Sequence, residues 1–304
     1  MTFLTYLING ISLGSVYAII ALGYTMVYGI AKMLNFAHGD VIMIGSYTVF
    51  VSVSALGLPM PVGMVLSIVL CTVLGIVVEA VAYRPLRGAS SLAVLITAIG
   101  VSYLLQNIAL LIFGANTTSF TSVVNIKPIV LASSEKIVNG ETVVTELTVT
   151  GESLVTIISC IVIMIGLTLF VNKTKAGQAM LAVSEDKGAA KLMGINVNAT
   201  ISLTFAIGSA LAAVAGMLLC SAYPALTPYT GSMPGIKAFV AAVFGGIGSI
   251  PGALIGGILL GIIEILSKAY ISSQLADAIV FLVLIVVLVV KPTGILGRKL
   301  MEKV

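Results

Sequence analysis

Residues 3–31 read FLTYLINGISLGSVYAIIALGYTMVYGIA, an unbroken run without a charged side chain. As a helix rising 1.5 Å per residue it would be about 43 Å long, more than the roughly 30 Å of a bilayer's hydrocarbon core. Such a segment must tilt, bend or protrude. It is also too long, and lacks the basic start, to be a cleavable signal peptide. The rest of the chain follows suit: of 304 residues, 59% are hydrophobic and 9% charged, and the mean hydropathy is +1.20. Soluble domains are roughly a quarter charged, so the solvent for most of this chain is lipid.

Outward from that first run, further apolar segments lie at Val41–Leu56, Met60–Ala82, Ala89–Phe113, Leu154–Val171, Ala199–Ala222, Ile236–Ile250, Gly252–Leu266 and Ser272–Val290. The expected fold is an all-α, polytopic transmembrane bundle forming one domain over residues 1–304, with about 8–10 membrane segments, some broken or re-entrant. With nine alternating segments, Lys32, Arg84, Arg87, Lys173, Lys175, Lys187, Lys191, Lys291, Arg298, Lys299 and Lys303 fall on one side. Lys127, Lys136, Lys237 and Lys268 fall elsewhere. Basic loops stay inside, which places the N-terminus outside and the C-terminus in the cytoplasm. Residues 114–152 then form an extracytoplasmic loop. Within it, Asn139-Gly140 between β-branched residues of KIVNGETVV predicts a small β-hairpin.

Two segments, Val41–Leu56 and Ile236–Ile250, give only about 24 and 22 Å of helix. Each adjoins a breaker: Asn35, Phe36, Ala37, His38, Gly39 and Asp40 before the first, and Gly245, Gly246, Ile247, Gly248, Ser249, Ile250, Pro251 and Gly252 after the second. One interruption in each half predicts two related repeats whose broken helices meet near the middle of the membrane and line a pathway. Gly248, Gly252 and Gly256 stand at four-residue spacing, as do Gly10 and Gly14. That spacing makes smooth faces for close helix packing, and unwound backbone lining a pathway is the other reading.

His38 and Asp40 form a possible ion-relay pair. Alternatively, Asn35 and Asp40 cap the following helix. Glu264 and Lys268 are read as an i,i+4 pair near the outer interface, Glu79 as a partner of Arg84 at the inner surface, and Asp277 as a charge at the start of the last helix. Cys71, Cys160 and Cys220 are too widely spaced for a disulfide scaffold or a zinc site, so no metal or cofactor is expected. Residues 173–198 differ in kind. Ala176, Gly177, Ala179, Met180, Leu181, Ala182, Ala189, Ala190, Leu192 and Met193 make an amphipathic pattern between two spans, suited to a partner's groove or to lying on lipid. No G-x-x-x-x-G-K-[ST] is present, so any ATPase is a partner. No convincing nucleophile and base pair supports an intramembrane enzyme.

NGISLGSVYA (9–18), ALGYTMVYG (21–29), LNFAHGD (34–40), YRPLR (83–87), Leu105-Gln106-Asn107, AVSEDKGAAKLMGIN (182–196) and GSMPGIKAFVAAVFGGIGSIPGALIGG (231–257) appear in this order. Together they resemble the permease subunit of ABC importers for branched-chain amino acids, of the shorter LivH type, along nearly the whole chain. The resemblance implies a bacterial inner-membrane subunit paired with a second, related permease, two cytoplasmic ATP-binding subunits and an extracytoplasmic amino-acid-binding protein. It matches Gly177, Ala182, Glu185, Asp186, Ala189, Ala190, Gly194 and Ile195 to the family's ATPase-coupling loop. Gln178 and Leu181 stand where relatives often carry arginine. The alternatives are an ion-coupled secondary transporter using His38 and Asp40, or an ABC permease for another small solute such as urea or amides.

Overall fold

The computed structural model describes residues 2–138 and 141–297, with the backbone alone for residues 134–138 and 141–146. The Asn139-Gly140 turn and the basic residues Arg298, Lys299 and Lys303 lie outside the described residues. Helices α1 (Thr2–Ala31), α2 (His38–Phe50), α3 (Met60–Val78), α4 (Ser91–Phe113) and α5 (Gly151–Lys173) precede two short ones, α6 (Lys175–Glu185) and α7 (Lys187–Leu192). Helices α8 (Val197–Ala222), α9 (Ser232–Gly245), α10 (Ile250–Tyr270) and α11 (Ala276–Val290) complete the chain. Single π-helical turns extend α2 over Val51–Ala55 and α3 over Glu79–Tyr83.

Each of the nine apolar segments read from the sequence corresponds to one of these helices, α6 and α7 being the extra pair. Helices α1, α4, α5, α8 and α10, with the stretch Met60–Leu86, are long and apolar enough to cross a membrane. The segment boundaries shift by a few residues, and the shift at the second break matters. Helix α9 begins at Ser232 and ends at Gly245, and Pro251 and Gly252 belong to the first turn of α10 rather than to the break. Proline is tolerated there because the amide it lacks has no partner in a first turn. The interruption itself is only residues 246–249, with Gly246 and Gly248 at φ +106° and +93°. Only glycine reaches such angles without strain.

Helix α1 is apolar on every side, and such a helix belongs at the centre of a bundle. Ala18, Ile19, Ile20, Ala21 and Leu22 have no exposure at all. Its closest neighbour is α10, and glycine permits the approach: a Cβ on Gly261 would stand 2.2 Å from the Gly14 backbone nitrogen, and one on Gly257 2.5 Å from Ala18 Cα. The predicted packing role of Gly10 and Gly14 holds. Gly248 does not belong to that face, because it lies in the break. Valine, leucine and isoleucine of α3, α4 and α5, such as Val65, Val73, Leu104, Leu111 and Val162, point outward, a surface suited to hydrocarbon. The three cysteines are buried and free.

The hairpin is longer than the sequence cue, with β2 (Ile129–Val138) antiparallel to β3 (Glu141–Val149). A second small sheet pairs β1 (Thr118–Ser119) with β4 (Ala225–Leu226), tying the link after α4 to the link after α8.

Candidate functional site

The first break starts at Lys32, whose φ of 58° ends α1. The chain then crosses residues 33–36 and enters α2 with Ala37 at the N-cap. No side chain makes a capping hydrogen bond to this helix, which corrects that part of the role expected of Asn35 and Asp40, while Asp40 does lie in its first turn, where a carboxylate is favoured. Both are recruited across the bundle instead. Asn35 Oδ1 accepts from the Tyr83 hydroxyl at 2.9 Å, and Asp40 Oδ1 accepts from Gln106 Nε2 at 2.8 Å. The Gln106 amide also reaches Ser102 Oγ and Ser232 Oγ, each at 3.2 Å, so α2, α4 and α9 meet at one buried carboxylate.

His38 faces another way. Its ring packs edge-on to Tyr24 with centroids 4.6 Å apart, sits where a Cβ on Gly23 would otherwise be, and lies within reach of the Ile20 carbonyl. Helix positions two apart do not face each other, so His38 addresses α1 while Asp40 addresses α4. The structure does not join them into a relay. Between them Gly39 lets α2 touch the start of α9: a Cβ there would lie 2.6 Å from the Gly231 carbonyl oxygen.

The second break lies beside the first. A Cβ on Gly29 would lie 3.3 Å from Gly248 Cα. Tyr24, Tyr28, Met33, Leu34, Asn35, Phe239, Ala242 and Ile247 pack around the meeting of the two breaks and leave no room there for a water molecule. They meet against the last third of α1 rather than at its mid-length. Ser249 caps α10 by accepting from the Gly252 amide at 3.2 Å, and Gly245 and Gly252 lie in mutual backbone contact. The last carbonyls of α9 need partners, as at any helix end. Ile295 N–H donates to Phe244 O and Leu296 N–H to Gly245 O, both at 2.9 Å.

One cluster had little trace in the sequence. Glu264 is not merely the partner of Lys268 near an interface. It is 1% exposed and accepts from Lys237 Nζ at 2.8 Å, Lys268 Nζ at 2.6 Å and the Tyr17 hydroxyl at 2.8 Å. Lys237 also bonds Asp277 at 2.6 Å. The four charges cancel, and they join α1, α9, α10 and the start of α11. A cue existed in Lys237, the lone cation inside an apolar segment, but nothing in spacing named its partners.

Glu79, fully buried, pairs with Arg84 at 3.1 Å, with Arg87, and with the Ser202 hydroxyl at 2.6 Å. It therefore clamps the end of α3 to α8, a broader role than the predicted pairing with Arg84.

Helices α6 and α7 follow at the same end of the bundle. Thr174 caps α6 by accepting from the Gly177 amide at 3.0 Å, and Asp186 caps α7 by accepting from Gly188 and Ala189 N–H at 2.8 and 3.0 Å. Gly177 has no room for a side chain, since a Cβ would stand 2.3 Å from Phe170 O. Met180, Val183 and Ala190 enter a core with Ala31, Val171, Ile201 and Phe205, against which Ala182 and Ile195 pack. Gly194, at φ +80°, closes α7 in the left-handed conformation usual after a helix. Glu185, Gln178, Leu181, Leu192 and Met193 face outward, the last two 90% and 82% exposed. Lys187 Nζ donates to Ala31 O at 2.9 Å, placing a cation on the terminal carbonyls of α1, where it is favoured. Burial, then the nearby Arg87 and Lys32 cations, hold the Lys187 ammonium below the usual lysine value. Through this bond the short helices grip the residue immediately before the first break.

Residues 6–288 match the family described as the permease component of branched-chain amino acid transport systems. Among curated relatives, the high-affinity branched-chain amino acid transport system permease protein LivH of Escherichia coli (strain K12) is 47% identical over 99% of this chain and 98% of its own. LivH of Salmonella typhimurium is 46% identical, with the same shares covered. BraD of Pseudomonas aeruginosa, also named a permease protein of such a system, is 44% identical, again over 99% and 98%. These matches cover nearly the whole chain, both breaks, the buried charge cluster and helices α6 and α7 included. The chain belongs to the permease-component family of branched-chain amino acid transport systems, as a multi-pass membrane subunit that is not itself an enzyme.

Proposed function

We propose that this chain forms one half of the membrane pathway of an ATP-driven importer for leucine, isoleucine and valine. A second, related permease supplies the other half, and two ATP-binding subunits dock on α6 and α7 from the cytoplasm. A binding protein delivers the amino acid from outside, and residues 114–152 face it. The observation that carries this reading is the Lys187 to Ala31 bond: a movement imposed on α6 and α7 reaches the end of α1 and the break after it. That break and the one at 246–249 meet in a closed seam of tyrosine, phenylalanine and aliphatic side chains with Asn35, and parting that seam would expose an apolar surface suited to an aliphatic substrate. An ion relay is less well supported, since His38 and Asp40 bond to different helices.

Single cysteines test the sidedness that the coupling requires. The native thiols are buried, so an impermeant maleimide applied to intact cells should label Thr117→Cys and spare Met193→Cys. Inverted vesicles should show the reverse, with Met193→Cys protected when the ATP-binding subunits are present. Labelling of Met193→Cys from outside would overturn the assignment.

A further inference from the structure

We infer that Asp40, with Gln106 and Ser232, is the subsite that takes the ammonium group of the amino acid in transit, an inference that rests on the proposed import function. Three buried acids stand among the described residues: Asp40, Glu79 and Glu264. Glu79 is matched by two arginines and Glu264 by two lysines. Asp40 alone of the three has no cation within 4.0 Å among the described residues, and its recorded side-chain partners are neutral donors. A carboxylate held in a membrane bundle without a counter-charge is costly, and here only neutral donors and the N-terminal end of α2 offset it. Asp40 itself is 2% exposed, whereas Ser102, Gln106 and Ser232 around it are only half-buried, so a ligand would meet these polar groups first.

The surroundings fit the rest of such a ligand. Gly39 next to Asp40 touches Gly235, whose other neighbour is the Tyr24 hydroxyl, and Tyr24 belongs to the apolar seam between the breaks. Asp40 and this apolar seam lie on opposite sides of the backbone contact between Gly39 and Gly235, so an ammonium held at Asp40 would bring its branched hydrocarbon against the seam only as the breaks move apart. Gln106 supplies amide hydrogens to Asp40 while no cation is present, and its bonds to Ser102 and Ser232 hold it in place.

The test uses the complete complex in proteoliposomes, with labelled leucine, its binding protein and ATP. Asp40→Asn keeps the shape and an acceptor for Gln106, so assembly and ATP hydrolysis should persist while the import rate falls about tenfold or more. Asp40→Glu, which keeps the charge, should retain a clearly larger share of import. Gln106→Lys places a tethered ammonium on Asp40, which should favour folding and block import; it decides the matter if Asp40→Asn does not assemble. Native import rates in Asp40→Asn or in Gln106→Lys would overturn the inference. So would equal losses in Asp40→Asn and Asp40→Glu, which mark a structural tie, or a proton-gradient dependence of import that Asp40→Asn removes. Failure of the wild-type complex to import leucine on ATP would instead refute the proposed function.

Discussion

Replacing Leu192 and Met193 together with aspartate is expected to abolish ATP-driven import while leaving the chain folded in the membrane. Both side chains stand free of this chain's own core, 90% and 82% exposed, at the end of a helix that is otherwise anchored by Ala190 and the Asp186 cap. If a partner covers them, each buried apolar side chain stabilises the contact by roughly 1.5–3 kcal/mol. Losing both, with carboxylates in their place, weakens association about 100-fold or more. The check is recovery of the ATP-binding subunits on the purified double variant, alongside its level in the membrane fraction. Normal recovery and native import would remove α6 and α7 from the coupling role. These two positions are cleaner probes than Ala182, which packs against the core of this chain, so a bulky charge there would disturb the fold as well as any contact.

The second large effect concerns the buried charges. Lys237→Met should leave Glu264 with Lys268 alone and take from Asp277 its bonded cation, destabilising the bundle by ~3–5 kcal/mol, the usual result of removing one member of a buried pair. The variant should fall sharply in membrane abundance and in resistance to thermal aggregation. The double variant Lys237→Met with Glu264→Gln should recover much of that loss. It restores neutrality, keeps an acceptor for the Tyr17 hydroxyl, and leaves only Lys268 and Asp277, whose side chains are 39% and 45% exposed. If the single variant is as stable as the native chain, the cluster does not hold α9, α10 and α11 together. If the double variant is worse than the single one, the uncompensated charge is not the cause.

What could be read in the sequence follows from the range of the physics involved. Hydropathy and length are local, so the run from Phe3 to Ala31 and the eight later segments emerged with errors only at their ends, as at α9. Short segments flanked by glycine revealed both breaks. The pattern of Met180, Leu181 and Ala182 revealed helices outside the spans. What spacing could not reveal were pairings across the bundle. Glu264 and Lys268 are four residues apart and were legible, whereas Lys237 lies 27 positions from Glu264 and Gln106 lies 66 from Asp40. Asp40 at a helix start reads as a cap because capping is the commonest use of aspartate there. The fold overrides this by bringing α4 alongside. The same holds for His38, which spacing alone offered as a relay and which packing fits into the gap that Gly23 leaves.

The most direct measurement is the initial uptake of labelled leucine by cells with and without this chain, with ATP depleted in one arm and ion gradients collapsed in another. Uptake should disappear with the chain and with ATP and survive gradient collapse. Uptake that survives loss of the chain in cells lacking another leucine system, or that fails on gradient collapse while ATP is maintained, would contradict an ATP-driven importer built on this permease.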